Sequence, residues 1–341
     1  MTGLRKRGEK IRQAILAEVE SHPRDIALHT ASTFNITRQA ASRHVKALVD
    51  QGALVAFGHT RSRTYKLRPL AKWTHNYRIS DGLEEDVIWR NDIRPHLGEI
   101  PDNVRRIWQY GFTEMFNNAI DHSSGKTILV ELSMTALNTV LAVYDDGEGI
   151  FRKICRELSL NDERHAVLEL SKGKLTTDPD QHSGEGIFFT SRMFDRFAIS
   201  SGDVFFSHTH GDRKDWILEE PSPQRSTIVF MKLKNNTART VKQVYEEFSE
   251  DDGFGFTKTV VPVRLARYGD ERLVSRSQAK RLLAGLEKFK VVLLDFEDVD
   301  TIGKPFADEV FRVFAERHPG VRVAHVEANK EILAVVAGVS R

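Results

Sequence analysis

The sequence predicts an α+β chain built from three modules, and three observations carry that expectation. Its 341 residues suit two or three domains. Apolar residues recur at helical spacing from Ile11 to Leu48, ahead of two short strand-like runs. From about residue 254 to 341, strand-like and helix-like segments alternate, the pattern of a small α/β unit around a central sheet. Between these blocks, residues 71–240 mix strands and helices and carry two Gly-rich turns.

Composition narrows the class. A chain that is 40% hydrophobic and 29% charged is globular rather than disordered. No apolar run approaches the ~18 residues needed to span a bilayer, and the longest, "VVLLDF", reads as a buried strand. Nothing like a signal peptide follows the charged start "MTGLRKRGEK". The single cysteine, Cys155, excludes an internal disulfide and a multi-cysteine zinc site. A cytoplasmic protein without a membrane partner is expected.

Charge is unevenly spread. Residues 1–72 hold 14 Lys/Arg against 5 Asp/Glu, whereas the remainder holds 36 against 43. A basic block on an otherwise acidic chain suits a polyanion-binding module, or simply a solvated basic surface. In residues 1–70, Ile11, Ile15, Leu16 and Val19 predict a helix that ends at Pro23, and a short helix follows around 25–32. In "FNITRQAASRHVKALVDQGAL" Ala41, Val45 and Leu48 form an inner face, while Arg38, Gln39, Ser42, Arg43 and Lys46 form the outer one. Two strands then bracket a basic tip, "LVAFGHTRSRTYKL". Three helices and a hairpin in this order resemble the winged helix-turn-helix of bacterial regulators. The resemblance implies duplex DNA as partner, with the outer face of the third helix toward base edges and Arg61, Arg63 and Lys66 toward phosphates. A winged helix used for protein contacts is the alternative.

The middle block opens on a helix containing "FTEMFNNAIDHS", where Met115, Phe116 and Ile120 call for burial. Glu114, Asn118 and Asp121 lie four and three residues apart and so share another face. Next come "KTILVELSMTALNTVLAVYDDGEGI", two strands joined near Ala136–Asn138 and a Gly-rich turn, then "HSGEGIFFTSRMFDRFAISS", a second Gly-rich turn opening a helix, and the strand "RSTIVFMKL". Each glycine turn alone says little. In order, E-x3-N-A-x-D, D-x-G-x-G and G-x-G over residues 85–235 resemble the Bergerat nucleotide-binding fold of gyrase, Hsp90, sensor histidine kinases and MutL. "EMFNNAIDHS" is most similar to the anti-sigma-factor Ser/Thr kinases.

That resemblance implies ATP and Mg²⁺ as cofactors and assigns roles by position. Asn118 matches the Asn that holds Mg²⁺, a cation suited to hard oxygen ligands. Glu114 matches the general base, although a solvated helix-face Glu is also common. Asp145 matches the acceptor of the adenine amino group, with Gly147 and Gly149 permitting its turn. Gly184 and Gly186 match the phosphate-contacting turn. Asp121 and Thr227 stand at matching positions where a structural role is equally open. In the lid-length segment before the second turn, Lys172 and Lys174 are the cations expected to reach a γ-phosphate or else to be solvated. His122, His165 and His182 have no ligand spacing, and His182 is expected at the lid hinge. Residues 71–110 offer no phosphoacceptor histidine on a paired helix, because His96 follows Pro95, which argues against an autokinase. A gyrase-type transducer is missing too.

The C-terminal block begins after the acidic boundary "YEEFSEDDGFGF". "KVVLLDFEDVDTIGKPFADEVFRVF" resembles the STAS domain of anti-anti-sigma factors, and is closest to a STAS-like domain attached to nucleotide-binding domains. Lys304 and Pro305 stand where that family carries its phosphorylatable serine, leaving Thr301 as the nearest hydroxyl, and Phe306, Val310 and Phe314 read as core. Together the blocks predict an ATP-responsive transcriptional regulator that couples a Bergerat module to a DNA-binding one. The alternatives are an anti-sigma-type Ser/Thr protein kinase and an ATP-driven dimer clamp. A protein partner at the STAS-like part and a homodimer stay open.

Overall fold

The computed structural model describes residues 3–160, 162–175, 184–212, 215–219, 225–249, 255–267 and 271–339. The chain is α+β and multidomain, with three separate sheets among the described residues.

The N-terminal part packs α1 (Gly3–Glu18), α2 (Ile26–Phe34) and α3 (Arg38–Asp50) against a hairpin of β1 (Leu54–Phe57) and β2 (Thr64–Leu67). Ile11, Ile15, Leu16 and Val19 of the first helix and its extension join Ile26, Val45, Leu48, Leu54 and Leu67 in one core. Asn35, at φ 49, turns the chain out of α2 in the left-handed region. Two residues later the Thr37 hydroxyl accepts the Ala40 N–H at 3.2 Å and starts α3, a cap worth about 1 kcal/mol. Antiparallel pairing of Leu54 with Leu67 places both leucines under the helices.

The middle part is built on a seven-stranded antiparallel sheet. Its elements are β3 (Ala71–Arg78), α4 (Glu85–Ile88), α5 (Asp102–His122), β4 (Thr127–Met134), β5 (Asn138–Asp145), α6 (Ile150–Leu158), α7 (Glu163–Lys172), α8 (Gly186–Met193), β6 (Arg196–Ser201), β7 (Val204–Thr209), β8 (Trp216–Glu219), β9 (Thr227–Lys234) and α9 (Val241–Glu247). The strand order is β3-β4-β5-β9-β6-β7-β8. Helix α5 buries Val104, Ile107, Trp108, Phe112, Met115, Phe116 and Ala119, spaced three and four apart, toward the sheet side where Ile128, Val130 and Leu132 of β4 are buried. At the centre, β5 and β9 run side by side. Asp145 pairs with Thr227 at one end and Asn138 with Lys234 at the other. At the Asn138 end, Ala136 and Leu137 pack onto the N-terminal core, and Asn236 donates to the Gln13 side chain at 3.2 Å.

The C-terminal part contains β10 (Lys258–Pro262), α10 (Arg276–Leu283), β11 (Val291–Asp295), α11 (Lys304–Asp308), α12 (Phe314–Arg317), β12 (Arg322–Val326) and α13 (Lys330–Ala337). Its three strands are parallel in chain order, as strand–helix alternation requires. Phe306, Val310 and Phe314 are buried, as their spacing predicts.

Among the described residues the sheets number three, but the large cores number two. One continuous apolar cluster runs from α5 through α8 into β11 and α11, so the middle and C-terminal parts share an interior. Aromatic rings make the seam. Phe188 of α8 lies 4.6 Å from Phe256, and Phe256 lies 5.0 Å from Phe289, spacings at which rings attract one another beyond their buried area.

Candidate functional site

A cavity of about 300 Å³ opens between α5, the pocket ends of β5 and β9, α6 and the start of α8, at the lower end of the ~300–1,000 Å³ range of small-molecule sites. Its lining includes Glu114, Asn118, Asp145, Gly184, Gly186 and Thr227. Residues separated by more than a hundred positions in the chain thus meet in one place. The apolar wall comes from Met115, Val143, Ile150, Ile154, Leu170 and Val229, among others.

Asp145 is buried at the end of β5. Its Oδ1 accepts the Gly147 N–H at 2.9 Å and the Thr227 N–H at 3.4 Å. Burial raises its carboxyl above the ordinary carboxylate range, and the two backbone donors pull only part of that back. The Thr227 hydroxyl accepts the Ile150 N–H at 3.1 Å. This bond fastens the start of α6 to β9, and so sets the floor on which Asp145 sits. Gly147 and Gly149 do not line the cavity. They shape the turn beside it: Gly149 sits at φ 92, and a side chain there would overlap the Arg225 carbonyl.

Glu114 and Asn118 occupy successive turns of α5 and both face the cavity. Glu114 touches the second Gly-rich turn so closely that a methyl group on Gly186 would collide with its Oε2. Gly184, at φ 71, lies as close to the Leu175 backbone. An amide oxygen, a carboxylate and bare peptide groups at a helix start are the donor set that a hard cation and a polyphosphate need. By that chemistry Asn118 could hold a hard cation and the Gly184–Gly186 turn an anionic group, with the Asp145 carboxylate as a hydrogen-bond acceptor at the far wall.

Three of the expected residues lie away from the cavity. Asp121 is exposed and does not line the cavity; the lining continues past it through His122 and Ser123, so Asp121 lies on another face of the same helix. Lys172 is not a free lid cation: it is buried, pairs with Glu169 at 2.6 Å, and donates to the carbonyls of Arg281 at 3.1 Å and Ala284 at 2.9 Å. Lys174 does not line the cavity either. Its ammonium donates to the Lys288 carbonyl at 3.2 Å and lies 4.8 Å from the Phe289 ring centre. Both lysines are turned toward the C-terminal part because carbonyls and ring faces there satisfy their charge. His182 lies outside the described residues.

Sequence reasoning missed Lys153, which does line the cavity and donates to the His122 carbonyl at 3.0 Å. The signal was available: Lys153 is three residues after Ile150, on the same face of α6. It also missed Asn117, Ser123 and Glu157.

A second surface lies on α3. Arg38, Gln39, Ser42, Arg43 and Lys46 are all exposed and line one shallow depression. Arg63 and Lys66 are exposed on the hairpin, and Lys66 lies 5.9 Å from the ring centre of half-exposed Phe57. The side chain of Arg61 lies outside the described residues.

No helix among the described residues is long and apolar enough to cross a membrane. Comparison with curated proteins returns no match. Residues 278–333 match the family model of a STAS-like domain of unknown function (DUF4325), so the chain carries a STAS-like domain at its C-terminal end, spanning α10 to α13.

Proposed function

We propose that this chain is an ATP-responsive, Mg²⁺-dependent regulator of transcription, in which a nucleotide-binding module of Bergerat type is joined to a winged-helix DNA-binding module. The observation that carries the reading is the convergence of Glu114, Asn118, Asp145, Gly184, Gly186 and Thr227 on one cavity. Three sequence motifs matched to one ligand would have no reason to converge if they were unrelated turns. The exposed basic face of α3 supports the DNA half of the reading. A ligand shifts such a regulator only by binding one arrangement of the modules better than another. In the described conformation Lys172 and Lys174 tie the α7 end of the cavity to the STAS-like domain.

A second reading, transfer of the γ-phosphoryl group to a protein hydroxyl, is favoured by the placement of Glu114 against the Gly184–Gly186 turn. A base there serves either water or a hydroxyl. Incubation of the protein with γ-labelled ATP and Mg²⁺, alone and with cell lysate, separates the outcomes. Free phosphate marks an ATPase, labelled protein a kinase, and bound but unreacted ATP a sensor. Absence of ATP binding removes the proposal.

A further inference from the structure

At the corner between α1 and α2, three potential metal ligands gather: Glu18, His22 and His29. Their ligand atoms all lie within 4.8 Å of one another, and no other such trio occurs among the described residues. The helical hydrogen bonding of α1 continues past its end, with the His22 N–H donating to the Glu18 carbonyl at 2.8 Å. Glu18 and His22 are therefore one turn apart on one face. His29 comes from α2 and stacks on His22, ring centres 3.9 Å apart and planes 15° from parallel.

An independent feature points to a ligand. Asp25 stands at the N-cap of α2, yet its side chain makes no cap bond. Its carboxylate oxygens instead lie 3.3 Å from His22 Nδ1. In the tautomer whose Nδ1–H donates to Asp25, the Nε2 lone pair of His22 is left available to a ligand. Metal-binding histidines are held in this way, by a carboxylate that fixes the tautomer and raises the basicity of the other nitrogen. A cap bond is worth about 1 kcal/mol, so Asp25 forgoes a local stabilisation to orient this ring.

We propose that Glu18, His22 and His29 form a site for a divalent transition-metal ion of the Zn²⁺ class, with Asp25 as the residue that orients His22. Two imidazoles and a carboxylate suit borderline cations rather than Mg²⁺ or Ca²⁺. Bond lengths of about 2.0–2.2 Å place tetrahedral ligand atoms about 3.4 Å apart, so binding requires the three ligand atoms to draw together by up to about 1.4 Å and the stacked imidazoles to turn out of parallel until both lone pairs meet the ion. The fourth position is left to water. The ion would cross-link α1 to α2 at the point where the Pro23 carbonyl accepts the Tyr65 N–H of β2 at 2.8 Å, bracing the corner from which the hairpin hangs. This site does not depend on the nucleotide reading.

The test uses the full chain and Co²⁺, whose visible absorption reports its ligands, followed by competition with Zn²⁺. Wild type should take up one Co²⁺ that Zn²⁺ displaces, and its melting temperature should rise with Zn²⁺. His22→Gln and His29→Gln should each lose that uptake while keeping the wild-type circular dichroism. Asp25→Asn should bind about 10–100-fold more weakly. Should either histidine variant fail to fold, Glu18→Ala, altered only at the solvent side, should still show weakened uptake. The proposal is overturned if wild type takes up no Co²⁺, or if wild type and the ligand variants take it up equally.

Discussion

The ammonium of Lys172 lies 2.9 Å from the carbonyl oxygen of Ala284, 112 residues further along the chain. One buried cation thus closes the C-terminal end of α10 and the C-terminal end of α7 together, with Glu169 as its counter-ion at 2.6 Å. Burial lowers the Lys172 ammonium and raises the Glu169 carboxyl from their usual ranges, and each partner's charge opposes the shift. Lys172→Met should therefore leave a buried carboxylate unpaired and cost about 3–5 kcal/mol. Replacing both, as Lys172→Met with Glu169→Leu, should recover most of that loss. Urea unfolding of the single and double variants measures it, and equal stability of all three forms would show the pair to be inert.

Asn118→Ala should remove the Mg²⁺-dependent part of ATP affinity, read by calorimetry with and without the ion. Asp145→Asn should weaken binding regardless of Mg²⁺. The same substitution should leave the fold as stable or more so at neutral pH. The sign follows from the raised Asp145 carboxyl: the folded state binds more protons than the unfolded one between the unfolded value of about 3.9 and its own higher one. Stability therefore falls as pH rises through that window. A large loss of melting temperature in Asp145→Asn contradicts this account.

Glu114→Ala should keep ATP affinity and reduce any turnover by about 10²–10⁴-fold, the usual range for a general base. Loss of ATP binding in this variant would assign Glu114 to the structure of the cavity wall instead.

On DNA, Arg43→Ala should erode discrimination between sequences, because α3 is the face toward base edges in the proposed mode. Arg63→Ala should weaken binding evenly and lower the slope of log affinity against log salt by about 1. Filter binding across a salt series distinguishes the two, and identical behaviour of the variants contradicts the assigned orientation.

Acidification should destabilise the protein in part through His208. Its Nδ1 lies 2.6 Å from Asp215 Oδ1, and burial followed by the Arg192 charge lowers the imidazole below its usual range. Its contribution is thus complete above the unfolded value of about 6.5 and is lost as pH falls below it. Burial raises the Asp215 carboxyl, but the His208 hydrogen bond and the charges of Arg192, His208 and Arg264 outweigh it, so this group adds a second loss at lower pH. His208→Gln should flatten the upper limb of a melting-temperature profile between about pH 7 and pH 5. An unchanged upper limb would place the acid response elsewhere.

The sequence made the helices of the N-terminal block legible because Ile11, Ile15, Leu16 and Val19 mark a face at a spacing only a helix supplies. The cavity was legible because its polar residues sit in short ordered motifs. Strands β3 and β8 were not legible. They are the edges of the sheet, where β3 buries only Tyr77 and β8 buries no residue. Without a buried face there is no alternation to read. The lysines failed for a different reason. Spacing placed Lys172 and Lys174 near the second Gly-rich turn, but their partners, Ala284 and Lys288, are backbone carbonyls on a later element. A carbonyl acceptor carries no residue-type signature, so no local pattern announces it.

Strands β5 and β9 run from the candidate cavity at Asp145 and Thr227 to Asn138 and Lys234, next to which Ala136, Leu137 and Asn236 meet the N-terminal module. Eight paired residues, seven steps of about 3.4 Å, make a beam about 24 Å long, cross-linked along its whole length. A beam of this kind transmits rotation but does not stretch. Under the proposed function, a signal passing between its two ends would travel as a change of tilt rather than of length. Its stiffness would set how faithfully the far end follows the near one.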